Sequence, residues 1–163
     1  AAETPEILEN KTCTSCHSIS DRDGFAQVPA GQLDLSARPS SDQAVHFTSY
    51  RELFFNDVEQ ETIEGILIDR LIPVLNENGN IVFEIDNEGE LILDAEGNAI
   101  PVLTTVAIQP ILSTNSAAAS GRFFDVINNV THQNTMTDDE LKLLREWLDI
   151  GGQYYNTPFY SQD

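Results

Sequence analysis

The clearest hydrophobic pattern lies near the C-terminal end. Leu141, Leu144 and Leu148 recur on one helical face, with Leu143, Trp147 and Ile150 beside it. Thr137-Asp138-Asp139-Glu140 precedes them as a capping box, with Thr137 as N-cap and Glu140 at N3. Gly151-Gly152 ends the predicted helix. At the other end Thr4-Pro5-Glu6 reads as a helix start, with proline at the first helical position and an acid in the first turn. That helix runs through Ile7 and Leu8. Between the ends, Phe47, Tyr50, Leu53 and Phe54 predict a helix over Val45 to Phe55, capped by Ser41-Asp42. Asn56-Asp57-Val58-Glu59 then reads as a capping box for a helix through Ile63, Leu67 and Leu71 to Pro73.

From residue 76 to residue 103 the period changes. Ile81-Val82-Phe83-Glu84-Ile85 and Leu91-Ile92-Leu93 are short runs set between three similar turn sequences. Those turns are Asn76-Glu77-Asn78-Gly79-Asn80, Asp86-Asn87-Glu88-Gly89-Glu90 and Asp94-Ala95-Glu96-Gly97-Asn98. Strand-length runs joined by Asn-Gly and Glu-Gly type turns predict a small β-meander. No twelve-residue Ca²⁺-loop pattern fits them. The fold class expected is therefore mainly α, a single domain over residues 1–163 with a β-meander inserted at about 76–103.

Composition narrows the partners. The chain has 163 residues and a net charge of −19, from 27 acids against 8 bases. Phosphate recognition needs clustered Lys and Arg, so nucleic acid is a poor partner. Bare anionic lipid is disfavoured for the same reason, and no apolar run is long enough for membrane insertion. A redox partner protein with a basic docking patch would be steered in. The start Ala1-Ala2-Glu3 looks like a mature end left by signal-peptide cleavage, which predicts a periplasmic or otherwise exported protein.

Both cysteines fall in Cys13-Thr14-Ser15-Cys16-His17. A zinc site would ask for further ligands at comparable spacing. A thioredoxin-like pair belongs at the strand-to-helix turn of a βαβ unit, and the pattern here offers no such unit. Cys-x-x-Cys-His is the attachment signal for haem c. Each thiol adds across one vinyl group, and the adjacent His17 becomes an iron ligand. One covalent haem c with its iron is the expected cofactor. The sixth ligand has three candidates: Met136, His132 and His46. Met136 stands directly before the N-cap, where it can staple onto Leu141. Arg122, after the small-residue run Ser116 to Gly121, is a candidate for a haem propionate, and Arg38 a weaker one.

A helix leading into Cys-x-x-Cys-His resembles the class I cytochromes c. The resemblance implies a proline whose carbonyl accepts a hydrogen bond from the proximal histidine, and Pro29 stands at that place. It also implies a core aliphatic residue at the position of Met136, with the ligand several residues earlier, where His132 lies. His46-Phe47-Thr48-Ser49-Tyr50-Arg51-Glu52-Leu53, Arg122-Phe123-Phe124, Thr131-His132 and the run Glu146 to Asn156 are similar to the C-terminal monohaem domains of hydrazine synthase alpha subunit-like proteins. That similarity implies His132 as second axial ligand and a role in relaying electrons. The expected function is electron transfer through a bis-histidine haem, without enzymatic activity of its own. The alternatives are a haem enzyme or sensor with a weak or open sixth site, and a haem domain cut from a larger redox enzyme.

Overall fold

The computed structural model describes residues 12–154. The helix expected at Thr4 to Leu8 lies outside them. Three α-helices are present among the described residues: α1 (Thr48–Phe54), α2 (Gly121–Ile127) and α3 (Asp138–Asp149). Six strands lie between α1 and α2: β1 (Asp57–Val58), β2 (Gln60–Ile63), β3 (Ile66–Asp69), β4 (Leu71–Pro73), β5 (Leu103–Thr105) and β6 (Ala107–Ile108).

This architecture overturns the mainly α, class I-like cytochrome c fold expected from the sequence. The helix predicted from Asn56 to Pro73 does not form. Ile63, Leu67 and Leu71 match a helical stripe, but Thr62, Ile63, Ile66 and Ile68 are β-branched and favour strands. Glu64 (φ 52°) and Gly65 (φ 79°) then close a two-residue turn that pairs Ile63 with Ile66. The β-region is also wider than the predicted 76–103, and it is not a meander.

It is a branched array of antiparallel pairs. The β1/β6 pair leads to a junction where Glu59 N–H donates to Val106 O (2.8 Å) and Arg70 N–H to Glu59 O (2.7 Å). The β2/β3 hairpin and the β4/β5 pair leave from there. At the next junction three valines close a ring: Val74 N–H donates to Val102 O, Val102 to Val82 and Val82 to Val74, at 2.8–2.9 Å. Glu84, Ile92 and Ile100 close a like ring at 2.8–3.0 Å. The hairpins around these rings turn through the three repeated sequences. In each, the side chain of Asn76, Asp86 or Asp94 accepts the N–H groups two and four residues on, and glycine follows at positive φ. Asp21-Arg22-Asp23-Gly24-Phe25 makes the same turn.

The helices meet in one small core. Phe54 of α1, Leu112, Phe124 of α2 and Leu141 and Leu148 of α3 are buried, and Leu148 has no exposed surface. Apolar burial at this meeting point orients the three helices. The capping box forms as expected: Glu140 N–H donates to Thr137 Oγ1 (3.3 Å), and Thr137 N–H donates to Glu140 Oε2 (2.7 Å). Met136 packs against the core from its place before the cap. Gly152 sits at φ 57°, and a Cβ there would lie 2.9 Å from the Phe54 ring, so the chain can pass this ring only as glycine. Tyr50 Oη donates to Gly152 O (3.1 Å), tying α1 to the end of α3.

Candidate haem-attachment site

Cys13–Ser15 form one turn of 3₁₀-helix, and Cys16 continues it with a right-handed helical backbone. His17 N–H closes the turn on Cys13 O (2.9 Å). In such a turn, side chains three apart lie one above the other. Cys13 and Cys16 therefore share a side, and both are exposed free thiols. His17 follows directly, half-buried.

The peptide that orients His17 is not the one expected. Its Nδ1 lies 3.2 Å from Leu33 O, while the Pro29 carbonyl accepts Gln32 N–H (2.8 Å). Pro29 is buried at the start of the 3₁₀ turn Ala30–Gln32. That turn carries the chain back toward His17, and Leu35 N–H reaches His17 O at 3.0 Å. A carbonyl can only accept, so Nδ1 holds the proton and Nε2 keeps its lone pair for a metal.

His132 comes from the loop between α2 and α3. Two successive turns shape that loop: His132 N–H donates to Asn129 O (2.9 Å), and Thr135 N–H donates to His132 O (3.0 Å). Asn134 takes the left-handed conformation that asparagine tolerates (φ 67°). His132 Nδ1 pairs with Thr131 Oγ1 at 3.0 Å, and with Nδ1–H donating, its Nε2 is also free.

The two imidazoles face one another, with ring centroids 6.0 Å apart and planes inclined at 36°. A metal with bonds of about 2 Å to two opposed ring nitrogens sets the centroids roughly 6 Å apart. Each ring plane contains its own metal–nitrogen bond, so rotation about that axis leaves the angle between planes open. Two imidazoles at this spacing could hold a porphyrin iron between them, its other donors belonging to the macrocycle. The residues present therefore fit haem c, with two thiols for the thioethers and two imidazoles for the iron.

The other candidates stand elsewhere. Met136 is spent on the core. His46 packs its ring against Tyr50 (5.2 Å) and Tyr154 (4.6 Å). Arg38 is held by the buried Asp34, so the propionate role considered for it gives way to an ion pair. Arg122 is exposed on the first turn of α2.

Sequence reasoning missed the acidic cluster next to Leu33. Asp34, next to Leu33, donates its N–H to Glu52 Oε2 (3.4 Å). Burial, then the charge of Asp57, then that of Asp34 push the Glu52 carboxyl from the usual 4.5 up to about 8. No local pattern marks Glu52, because its neighbours come from two other segments. Its raised value has a sign for folding. Below the usual value both states hold the proton and the stability is complete. As pH rises toward 8 the unfolded chain releases the proton first, and stability falls. Glu52→Gln keeps an acceptor for Asp34 and adds a donor toward Asp57. Urea unfolding is expected to show little change at about pH 4 and a gain of roughly 1–2 kcal/mol at about pH 8.5, after discounting for partial exposure. An equal change at both pH values would refute this account.

Compared with protein-family models, with curated proteins and with solved structures, the chain has no match.

Proposed function

We propose that this chain is a c-type haem protein that transfers single electrons. The observation that carries the reading is the facing pair His17 and His132 beside the two free thiols of Cys13 and Cys16. Cys13 and Cys16 would hold the haem through thioethers, and His17 and His132 would ligate its iron. When bound, the group would supply a one-electron iron couple, which two imidazoles would shift toward the ferric state relative to a histidine–methionine pair. The chain's own part is positional. The Leu33 carbonyl fixes the His17 ring and its tautomer, and the turns around Asn134 present His132. With an imidazole available on each side for the iron, the site would suit a carrier and not a catalyst. An exported location and a protein redox partner go with this reading. Haem chemistry rests on the ligand set and not on one fold, so the departure from a class I architecture does not touch it.

The test is maturation. Expressed with a c-type haem maturation system, the chain is expected to gain the mass of one haem and keep its colour through acid-acetone extraction. Cys13→Ala with Cys16→Ala is expected to release all pigment. A colourless or fully extractable wild-type protein overturns the proposal.

A further inference from the structure

The branched β-layer has a face that nothing in the described chain covers. Its bridged pairs are Leu71 with Thr105, Pro73 with Leu103, Leu75 with Ile81, Phe83 with Pro101, Ile85 with Leu91 and Leu93 with Ala99. Alternation along a strand puts residues two apart on one face, and bridged partners share it. These pairs link one to the next around the valine ring and the Glu84–Ile92–Ile100 ring, so alternation places their mostly apolar side chains on one face. Leu75, Ile81, Phe83, Ile85, Leu91 and Leu93 on it are 39–61% exposed. Scattered exposed leucines need no explanation, but a contiguous apolar face of this kind marks an interaction site.

The charge around it selects the occupant. Residues 57–108 carry twelve Asp or Glu and one base, Arg70, which is paired with Glu59. The turns that edge the face hold Glu77, Asp86, Glu88, Glu90, Asp94 and Glu96. A second copy would bring the same acidic rim against this one, and like charges facing each other cost several kcal/mol. Anionic lipid and nucleic acid meet the same repulsion.

We propose that this face docks a partner protein that presents an apolar patch ringed by Lys and Arg. Apolar contact supplies the anchor, and the acidic turns set approach and register. The inference rests on the β-layer alone and stands apart from the haem reading, because its site shares no residue with Cys13 to His17 or His132.

The probe is a fluorescein-labelled helical amphipathic peptide of leucine and lysine, titrated into the full chain and followed by anisotropy. Saturable binding is expected. Leu75→Ser, Ile85→Ser and Leu93→Ser together should weaken it at least ten-fold. So should Glu77→Gln, Glu88→Gln and Glu90→Gln together. The charge-matched set Asp23→Asn, Asp125→Asn and Asp139→Asn should leave it within two-fold. Hydrogen exchange on the wild-type chain gives a readout free of any folding defect, and the peptide should slow exchange within residues 71–105. Equal loss from both charge sets, no loss from the serine variant, or no protection there would overturn the proposal. A wild-type dimer that the serine substitutions dissociate would assign the face to a second copy and overturn it as well.

Discussion

His132→Ala in the haem-loaded protein is expected to convert a low-spin, six-coordinate ferric spectrum into a largely high-spin one. It is also expected to let carbon monoxide bind the ferrous form, where the wild type is expected to show no Soret shift. The reason is geometric. The ring of His132 stands 6.0 Å from that of His17, centre to centre, so deleting it removes the second imidazole of the proposed ligand pair. No other soft or imidazole donor of the described chain is poised to replace it. Met136 is packed into the core, and His46 is stacked on Tyr50 and Tyr154. His46→Ala is therefore expected to leave both spectra unchanged, and Met136→Leu likewise. The covalent links do not depend on residue 132, so the colour of His132→Ala should survive acid-acetone. This separates loss of the sixth ligand from loss of haem. If the wild type binds carbon monoxide as readily as the variant, His132 is not a ligand, and the open-site alternative gains the ground.

Legibility followed the range of each interaction. The capping box at Thr137 and Glu140 was readable because its donors and acceptors lie within four residues. The turns at Asn76, Asp86 and Asp94 were readable for the same reason. The stretch from Asn56 to Pro73 was misread because Ile63, Leu67 and Leu71 satisfy a helical period while the same stretch also satisfies strand alternation. The Glu64-Gly65 turn decides between them, and it is the same Glu-Gly signal recognised further along. The three-way rings were beyond local pattern, since Val74, Val82 and Val102 pair only through the closure of two separate hairpins. At the site, residue chemistry supplied the shortlist of His17 with His132, Met136 and His46. It did not rank them by contact. Leu33 was invisible because a backbone carbonyl leaves no mark in the side-chain pattern, and Pro29 lies close enough to it in sequence to draw the attention instead.

Leu148→Ala is expected to have the largest effect on stability of any single core truncation. Leu148 is the one large side chain among the described residues with no exposed surface, at the centre of a core of five buried hydrophobic residues. Truncating a fully buried leucine costs roughly 3–5 kcal/mol, from lost transfer energy and the cavity left behind. Collapse around that cavity is limited on the side of Gly152, whose backbone is already tight against Phe54. For a domain with a total of about 5–15 kcal/mol, such a loss is a large fraction. A thermal melt followed by circular dichroism should fall by roughly 6–20 °C. Leu143→Ala on the same helix, where the side chain is 64% exposed, should move the melt little. The consequence reaches the proposed haem site, because α3 carries the cap at Thr137 and the packed Met136, and the loop holding His132 ends there. In denaturant, the low-spin signal of Leu148→Ala should therefore disappear at a lower concentration than in the wild type, together with the helical signal. A variant that kept wild-type stability, or that lost helix while retaining the His132 ligand signature, would show that α3 does not position the sixth ligand through this core.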